Sequence, residues 1–394
     1  MSKQGISDLP SIPWNRLMDA ARVTDRAAGL THSLYRYPAS MSPALVRTLI
    51  LGLTNPGETV LDPFCGGGTT AIEALAHGRS AICSDINALA CFVTRAKATC
   101  LSSIALREYR KWAEAMCRVL QSDSGRARLM RRHSVNSPWS PQTQALLLAV
   151  RNSADQLSPE PARRFATLVL LRAAQVCFDR SLSPLRPTKL ARAFVQLATQ
   201  AGTRMQEYRQ ACDDTATARP HAPSLRVINC DAAEVSARLP SFNGPISLVL
   251  TSPPYPGVHM LYHRWQIHGR RETNLPYTVI GEPDGRFESA YTLGSRADPD
   301  NASYFSRLET IYTNLHAIIQ PTTLVAQAVA FARPRVQLAK LRNAMENAGF
   351  EEIRAPRLGG RPLTRAIPNR RWYALLSENQ NAAKEYLLIY RPNS

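Results

Sequence analysis

Val60-Leu61-Asp62-Pro63-Phe64-Cys65-Gly66-Gly67-Gly68-Thr69-Thr70 carries the plainest statement of architecture in this chain. A short apolar strand breaks at Asp-Pro, passes through three glycines and leads into Ala71-Ile72-Glu73-Ala74-Leu75-Ala76, a run of helix formers. Glycines let a backbone approach a ligand closely, and the free N–H groups of a helix start attract an anion. The next apolar stretch, Ser80-Ala81-Ile82-Cys83-Ser84, ends in Asp85 and Ile86. An acid about 20 positions beyond the glycines, at the tip of a second strand, stands where a ribose diol is held. The turn lacks the wider dinucleotide spacing and is not followed by Gly-Lys-Ser/Thr. That pattern favours a nucleoside with a small carboxylate tail over NAD or ATP phosphates.

A second block closes another apolar run. Ile246-Ser247-Leu248-Val249-Leu250 leads into Thr251-Ser252-Pro253-Pro254-Tyr255. Two prolines fix φ and remove two donors, so nearby carbonyls are left for a ligand. A rigid corner, a small hydroxyl and an aromatic face at one point suit a flat base with an exocyclic amine.

Together the two blocks resemble those of the amino-group DNA methyltransferases that use S-adenosylmethionine. Asp62 to Thr69 resembles the cofactor motif of that family. Thr251 to Tyr255 resembles its catalytic motif, in the form more typical of N4-cytosine than of N6-adenine enzymes. His32-Ser33-Leu34-Tyr35-Arg36-Tyr37-Pro38-Ala39, followed by Ser42-Pro43, is similar to the segment that closes over the methionine end of the cofactor. Asn229-Cys230-Asp231-Ala232 resembles the acidic motif near the adenine.

The resemblance implies a Rossmann-like class I methyltransferase sheet, α/β and mostly parallel, with an antiparallel C-terminal hairpin and a helical insertion. It implies S-adenosylmethionine as cofactor, held by Tyr37, Pro38, Asp62, Pro63, Phe64, Cys65, Gly66, Gly68, Thr69, Asp85, Ile86, Asp231, Ala232 and Thr251. Asp62 or nearby backbone would face the ammonium, Asp85 the ribose and Asp231 the adenine amine. Ser252, Pro253, Pro254 and Tyr255 would be catalytic: Ser252 and Pro253 accept hydrogen bonds from the amine, and Tyr255 stacks on a flipped base. The implied product is N4-methylcytosine in duplex DNA. N6-adenine transfer, RNA methylation and an inactive DNA-binding subunit are the alternatives. C5-cytosine chemistry needs a nucleophilic cysteine, whereas Cys65 sits in the glycine turn.

Composition points the same way. The net charge of +18 implies a polyanionic partner, double-stranded DNA on this reading. Of the 48 basic residues only six are lysines, and arginine favours bidentate contact with phosphates and base edges. The eight cysteines form no Cys-x-x-Cys pair, which argues against a zinc ribbon or a disulfide scaffold. The sequence has no run of 18 apolar residues and no signal-peptide core, so no membrane span and a cytoplasmic location are expected.

Residues 1–100 and 223–394 are expected to form the catalytic domain, cofactor half first. Residues 101–222 read as long helices at 104–120, 142–154 and 163–178, separated by basic, proline-bearing stretches; they are expected to be an insertion that reads DNA or acts as a lid. Elsewhere helices are expected at 15–28, Pro43–Leu53, Ala88–Ala98, 304–319 and 336–348, and late strands at 323–331, 353–355, 372–376 and 385–390. Residues 256–303 are too long for an idle connector, and their position places them over the substrate. There His259, Tyr262, His263, Arg264, Arg270 and Arg271 suit base stacking and phosphate contacts. His259, His263 and His268 do not have metal-ligand spacing, so no metal is expected. A restriction endonuclease or other defence-system component is a candidate partner.

Overall fold

The computed structural model describes residues 12–23, 29–37, 40–131, 133, 135, 139–216, 222–239, 244–257, 264–267, 271–283, 293–294, 298, 300–367 and 383–393. Helices α1 (Trp14–Arg22) and α2 (Pro43–Leu53) precede strand β1 (Thr59–Asp62). Helix α3 (Thr69–Ala76) follows the glycine turn, and β2 (Ser80–Asp85) and α4 (Ala88–Ala98) complete the first unit. Five helices come next: α5 (Ser103–Gln121), α6 (Asp123–Met130), α7 (Pro141–Asp155), α8 (Glu160–Phe178) and α9 (Pro187–Ala216). Strands β3 (Leu225–Asn229) and β4 (Ile246–Thr251) resume the sheet. A small pair, β5 (Trp265–Ile267) and β6 (Arg271–Thr273), leads to α10 (Leu275–Ile280) and α11 (Ala302–His316). The chain ends in β7 (Leu324–Ala330), α12 (Pro334–Asn347), β8 (Phe350–Glu352), β9 (Leu363–Ile367) and β10 (Ala383–Pro392).

The fold is α/β. The main sheet runs β3-β2-β1-β4-β7-β10-β8, with β9 also paired to β10. Strands β1, β2, β3, β4 and β7 are mutually parallel, and β10 is antiparallel to β7, β8 and β9. Alternate residues face opposite layers, as the pleat requires. Val60, Leu248, Leu250 and Ala326 pack into one core with α2 and α3, while Leu61, Val249 and Val325 pack into the other with α11 and α12. From β1 the chain moves to β2 and β3 on one side and restarts at β4 on the other. Such a switch point opens a crevice at the carboxyl ends of the central strands. Both sequence blocks end there.

The helices of residues 101–222 share the first of these cores with the sheet. The Tyr109 hydroxyl donates to the Ala198 carbonyl (2.8 Å), and that of Tyr208 to the Ala98 carbonyl (2.9 Å) at the end of α4. The 30-residue helix α9 is not among the sequence expectations, although Leu190, Phe194, Ala198, Ala201, Met205 and Tyr208 are buried at helical spacing. Strand β8 lies just before the expected 353–355. The expected strand at 372–376 lies outside the described residues, and β9 is the strand that pairs with β10 to make the antiparallel end of the sheet. No single described helix is long and apolar enough to cross a membrane.

Candidate active site

The glycine turn is shaped by what lies against it. Gly66 (φ +49°) and Gly68 (φ +78°) adopt the left-handed backbone that favours glycine. At Gly67 the reason is space: a Cβ would sit 2.8 Å from Tyr37 Cβ and 3.2 Å from Ser40 Oγ. Tyr37 therefore lies directly on the turn. Behind the turn, α4 supplies two donors. The Thr94 hydroxyl reaches the Gly66 carbonyl (3.2 Å), and Lys97 Nζ donates to the Gly67 carbonyl at 2.7 Å. Lys97 is buried, which pushes its pKa down to about 7.

Asp62 is 1% exposed and accepts three hydrogen bonds. Its Oδ1 takes Phe64 N–H (3.1 Å) and Thr251 Oγ1 (2.7 Å), and its Oδ2 takes Thr70 Oγ1 (2.7 Å). Burial raises its pKa to about 6, and the three donors oppose that rise. Its carboxylate thus ties β1 to the start of α3 and to the last residue of β4, and is turned inward rather than toward a ligand's ammonium. Thr251 is the other end of the same tie. Pro63 accepts the Ser84 hydroxyl at 3.2 Å, and Cys65 N–H donates to the Ser84 carbonyl at 2.9 Å. These bonds dock the glycine turn on the end of β2.

At that end, Asp85 accepts Gly66 N–H on Oδ2 and Asn87 N–H on Oδ1, both at 2.9 Å. Burial raises its pKa to about 6 as well. Ile86 beside it is 39% exposed, an apolar surface next to an acid. The same crevice wall therefore offers a close backbone, a carboxylate and an apolar face, a donor set that fits an adenosyl group with an amino-acid tail.

The corner after β4 is held from two sides. Tyr304 Oη donates to the Pro254 carbonyl at 2.8 Å, and Tyr255 Oη donates to Glu385 Oε1 at 2.5 Å. The half-buried Ser252 hydroxyl has no hydrogen-bond partner among the described residues. Thr251 joins this corner to Asp62, so the turn and the corner form one rigid edge.

Residues 13–94 match a family model for N6 and N4 enzymes described as DNA methylase. An 80-residue stretch is 38% identical to the DNA adenine methyltransferase YhdJ of Escherichia coli (strain K12), covering 20% of this chain and 27% of that protein. A 74-residue stretch is 40% identical to the type II methyltransferase M.MvaI of Kocuria varians, covering 18% and 16%. Residues 13–94, about a fifth of the chain, are thus similar to part of the amino-group DNA methylases. The aligned stretches span less than a third of these relatives' own lengths, 27% and 16%. Likeness to solved structures is distant. The rRNA methyltransferase aviRa from Streptomyces viridochromogenes gives a TM-score of 0.33 at 11% identity, over 77% of this chain and 80% of that one. Geranyl diphosphate C-methyltransferase from Streptomyces coelicolor A3(2) gives 0.31 at 10% identity, over 98% and 99%.

Within the matched segment, residues 32–47 are held from several sides. Gln175 of α8 holds Arg36 by both backbone groups, accepting its N–H (3.2 Å) and donating to its carbonyl (2.8 Å). His32 Nε2 lies 2.8 Å from Glu73 Oε1, and Arg47 binds the same buried carboxylate at 2.9 Å. Burial lowers the His32 pKa, whereas His32, His77 and Arg47 together hold Glu73 below the usual carboxylate range. Trp265 Nε1 donates to Tyr35 Oη at 3.3 Å, and Tyr277 Oη donates to Asn87 Oδ1 at 2.9 Å. Asn87 also caps α4 and lies 3.5 Å from Tyr37 Oη. The segment after the corner thus reaches back to the cofactor side. None of Gln175, Lys97, Asn87, Trp265, Tyr277, Tyr304 or Glu385 was singled out from sequence. Only Asn87 carried a local signal, a capping residue directly before a helix.

Other expected residues lie elsewhere or outside the described set. Asp231 accepts Ala233 N–H at 3.0 Å and is ion-paired with Arg307 of α11, so its carboxylate already has a cationic partner. Ala232 is buried beside it, and Phe64 packs against the second core. Arg264 is turned to Glu272 across the β5–β6 pair (3.5 Å) and is 14% exposed, rather than presenting its guanidinium to solvent. The backbone of Arg271 pairs with Ile267 in β6. Pro38, His259, Tyr262, His263 and Arg270 lie outside the described residues.

Proposed function

We propose that this chain is an S-adenosylmethionine-dependent DNA methyltransferase that modifies the N4 amine of cytosine in duplex DNA. The observation that carries this reading is the Thr251–Asp62–Thr70 tie, which fixes the Ser-Pro-Pro-Tyr corner to the glycine turn at one edge of the sheet.

Gly66, Gly68 and Thr69 would cradle the amino-acid tail of the cofactor, with Tyr37 above it. Asp85 would accept the ribose hydroxyls and Ile86 would lie against the adenine. The bound cofactor supplies a methyl group on a positively charged sulfur, already activated for direct transfer. The Ser252 hydroxyl and the Pro253 carbonyl would accept the two N–H bonds of the target amine. That draws its lone pair out of conjugation and aims it at the methyl. Tyr255 would stack on the everted base, and the surplus proton of the methylated amine would leave to water. Positioning and preorganised dipoles would supply most of the rate.

The asparagine or aspartate usual in adenine enzymes is replaced here by Ser252, which supports cytosine. N6-adenine is the second reading, favoured by the likeness to an adenine methyltransferase. DNA recognition is assigned to the helices of 101–222 and to 256–303, with His259, Tyr262, His263, Arg270 and Arg271 as the contacts to test. Incubating DNA with the purified chain and labelled S-adenosylmethionine, then separating the nucleosides by mass, tests the assignment. Label in N4-methylcytosine is expected; label only in N6-methyladenine replaces the base, and no label on duplex DNA overturns the function.

A further inference from the structure

The mechanism assigns Tyr255 only its ring, yet its hydroxyl has a partner of unusual kind. Tyr255 Oη donates to Glu385 Oε1 at 2.5 Å, and Glu385 is 6% exposed. The other oxygen, Oε2, faces Arg365 Nε at 3.5 Å, with both side chains nearly buried at 13% and 7%. Glu385 stands opposite Arg365 on β9 and opposite Ala330 at the end of β7. Because β7 lies between β4 and β10, the Tyr255 bond reaches across an intervening strand to the antiparallel end of the sheet.

A buried tyrosine–carboxylate–guanidinium chain is costly where a phenylalanine against an aliphatic pair would fill the space. Two properties of a stacking platform follow from it. Fixing both Cβ and Oη sets the long axis of the ring, and the preference of a phenolic O–H for the ring plane restrains rotation about that axis. Donating to a carboxylate also makes the ring more electron-rich. An electron-rich face attracts positive charge, and positive charge develops on the amine and its base as the methyl arrives. The Tyr304 bond to the Pro254 carbonyl fixes the neighbouring residue of the corner.

We infer that Glu385 is the positioning residue of Tyr255, holding and polarising its ring through the phenol so that the C-terminal hairpin becomes part of the transfer site. The inference rests on the reading of the corner as that site. The test uses the full chain and four proteins: wild type, Tyr255→Phe, Glu385→Gln and the double variant. Single-turnover methylation, cofactor binding and the fluorescence of 2-aminopurine at the target base are measured for each, with thermal unfolding as control. Losing a hydrogen bond to a charged acceptor predicts a fall of about 10- to 100-fold in the transfer rate for Tyr255→Phe. Glu385→Gln keeps an acceptor and loses the charge, so its fall is smaller. The double variant is no slower than Tyr255→Phe alone, and cofactor affinity stays within about twofold. The 2-aminopurine signal of the everted base changes in Tyr255→Phe. Independent effects that multiply in the double variant, or a transfer rate unchanged in Glu385→Gln and Tyr255→Phe, overturn the inference. Equal losses of cofactor affinity and thermal stability with no change in single-turnover rate overturn it too. A wild-type chain that binds cofactor but transfers no methyl overturns the functional reading instead.

Discussion

Thr251→Val isolates the tie that joins the two halves of the site. Valine keeps the shape of threonine and removes one donor. In the wild type that donor reaches Asp62 Oδ1 at 2.7 Å, inside a core where Asp62 is 1% exposed and water cannot take its place. A hydrogen bond to an ionised group contributes about 1.5–3 kcal/mol, against about 0.5–1.5 kcal/mol for a neutral pair. The variant should therefore lose about 2 kcal/mol of stability where Asp62 is ionised and about 1 kcal/mol where it is protonated. The boundary is set by the raised pKa of about 6. A carboxyl whose folded pKa lies above its unfolded value binds its proton more tightly when folded. This group therefore lowers stability as pH rises from about 4 to about 6. Losing the Thr251 donor pushes that pKa higher, so the variant declines more steeply and over a wider range. Urea unfolding at pH 5, 6.5 and 8 measures the gap, which should widen by about 1 kcal/mol between the extremes. The corner should also drift from the turn, so methyl transfer falls more than cofactor affinity. A gap independent of pH, or below about 0.5 kcal/mol throughout, refutes the reasoning.

Three further outcomes follow from the same geometry. Gly67→Ala places a Cβ 2.8 Å from Tyr37 Cβ, so Tyr37 is displaced at a cost of about 1–3 kcal/mol; cofactor titration should show weakened binding, and unchanged affinity would mean that Tyr37 does not cover the cofactor. Asp85, with its pKa raised to about 6, loses its charge below that pH, so cofactor affinity should fall as pH drops through about 6, while Asp85→Asn binds weakly at all pH; a wild-type affinity flat from pH 5 to 8 removes Asp85 from the ribose contact. Gln175→Leu deletes both bonds to the Arg36 backbone and should weaken cofactor binding about tenfold, since two neutral bonds contribute about 1–3 kcal/mol together; calorimetry showing no change would confine α8 to packing.

Local rules read the first unit of the sheet well. The bounds of α2 and α4 were legible because Pro43 starts one helix and the apolar spacing of 88–98 marks the other. The carboxyl-edge location of both motifs was legible because each motif ends a strand. The roles inside the site were less so. Asp62 looked like a ligand group, and only the register of β1 beside β4 shows that Thr251 reaches it. Helix α9 starts in a basic, proline-bearing stretch, and several of its buried positions are alanines, which give a weak periodic signal. Strand β9 carries Arg365 at its centre and forms through pairing with β10, not through its own propensity. The bonds of Gln175, Trp265, Tyr277 and Glu385 join residues 130 to 230 positions apart, and no spacing rule anticipates them.

The most direct measurement pairs wild type with Ser252→Ala and follows labelled methyl from S-adenosylmethionine into the nucleosides of duplex DNA. Label in N4-methylcytosine with the wild type, and transfer cut by at least about 100-fold in Ser252→Ala with cofactor still bound, is the result this account predicts. Undiminished transfer by Ser252→Ala would contradict it.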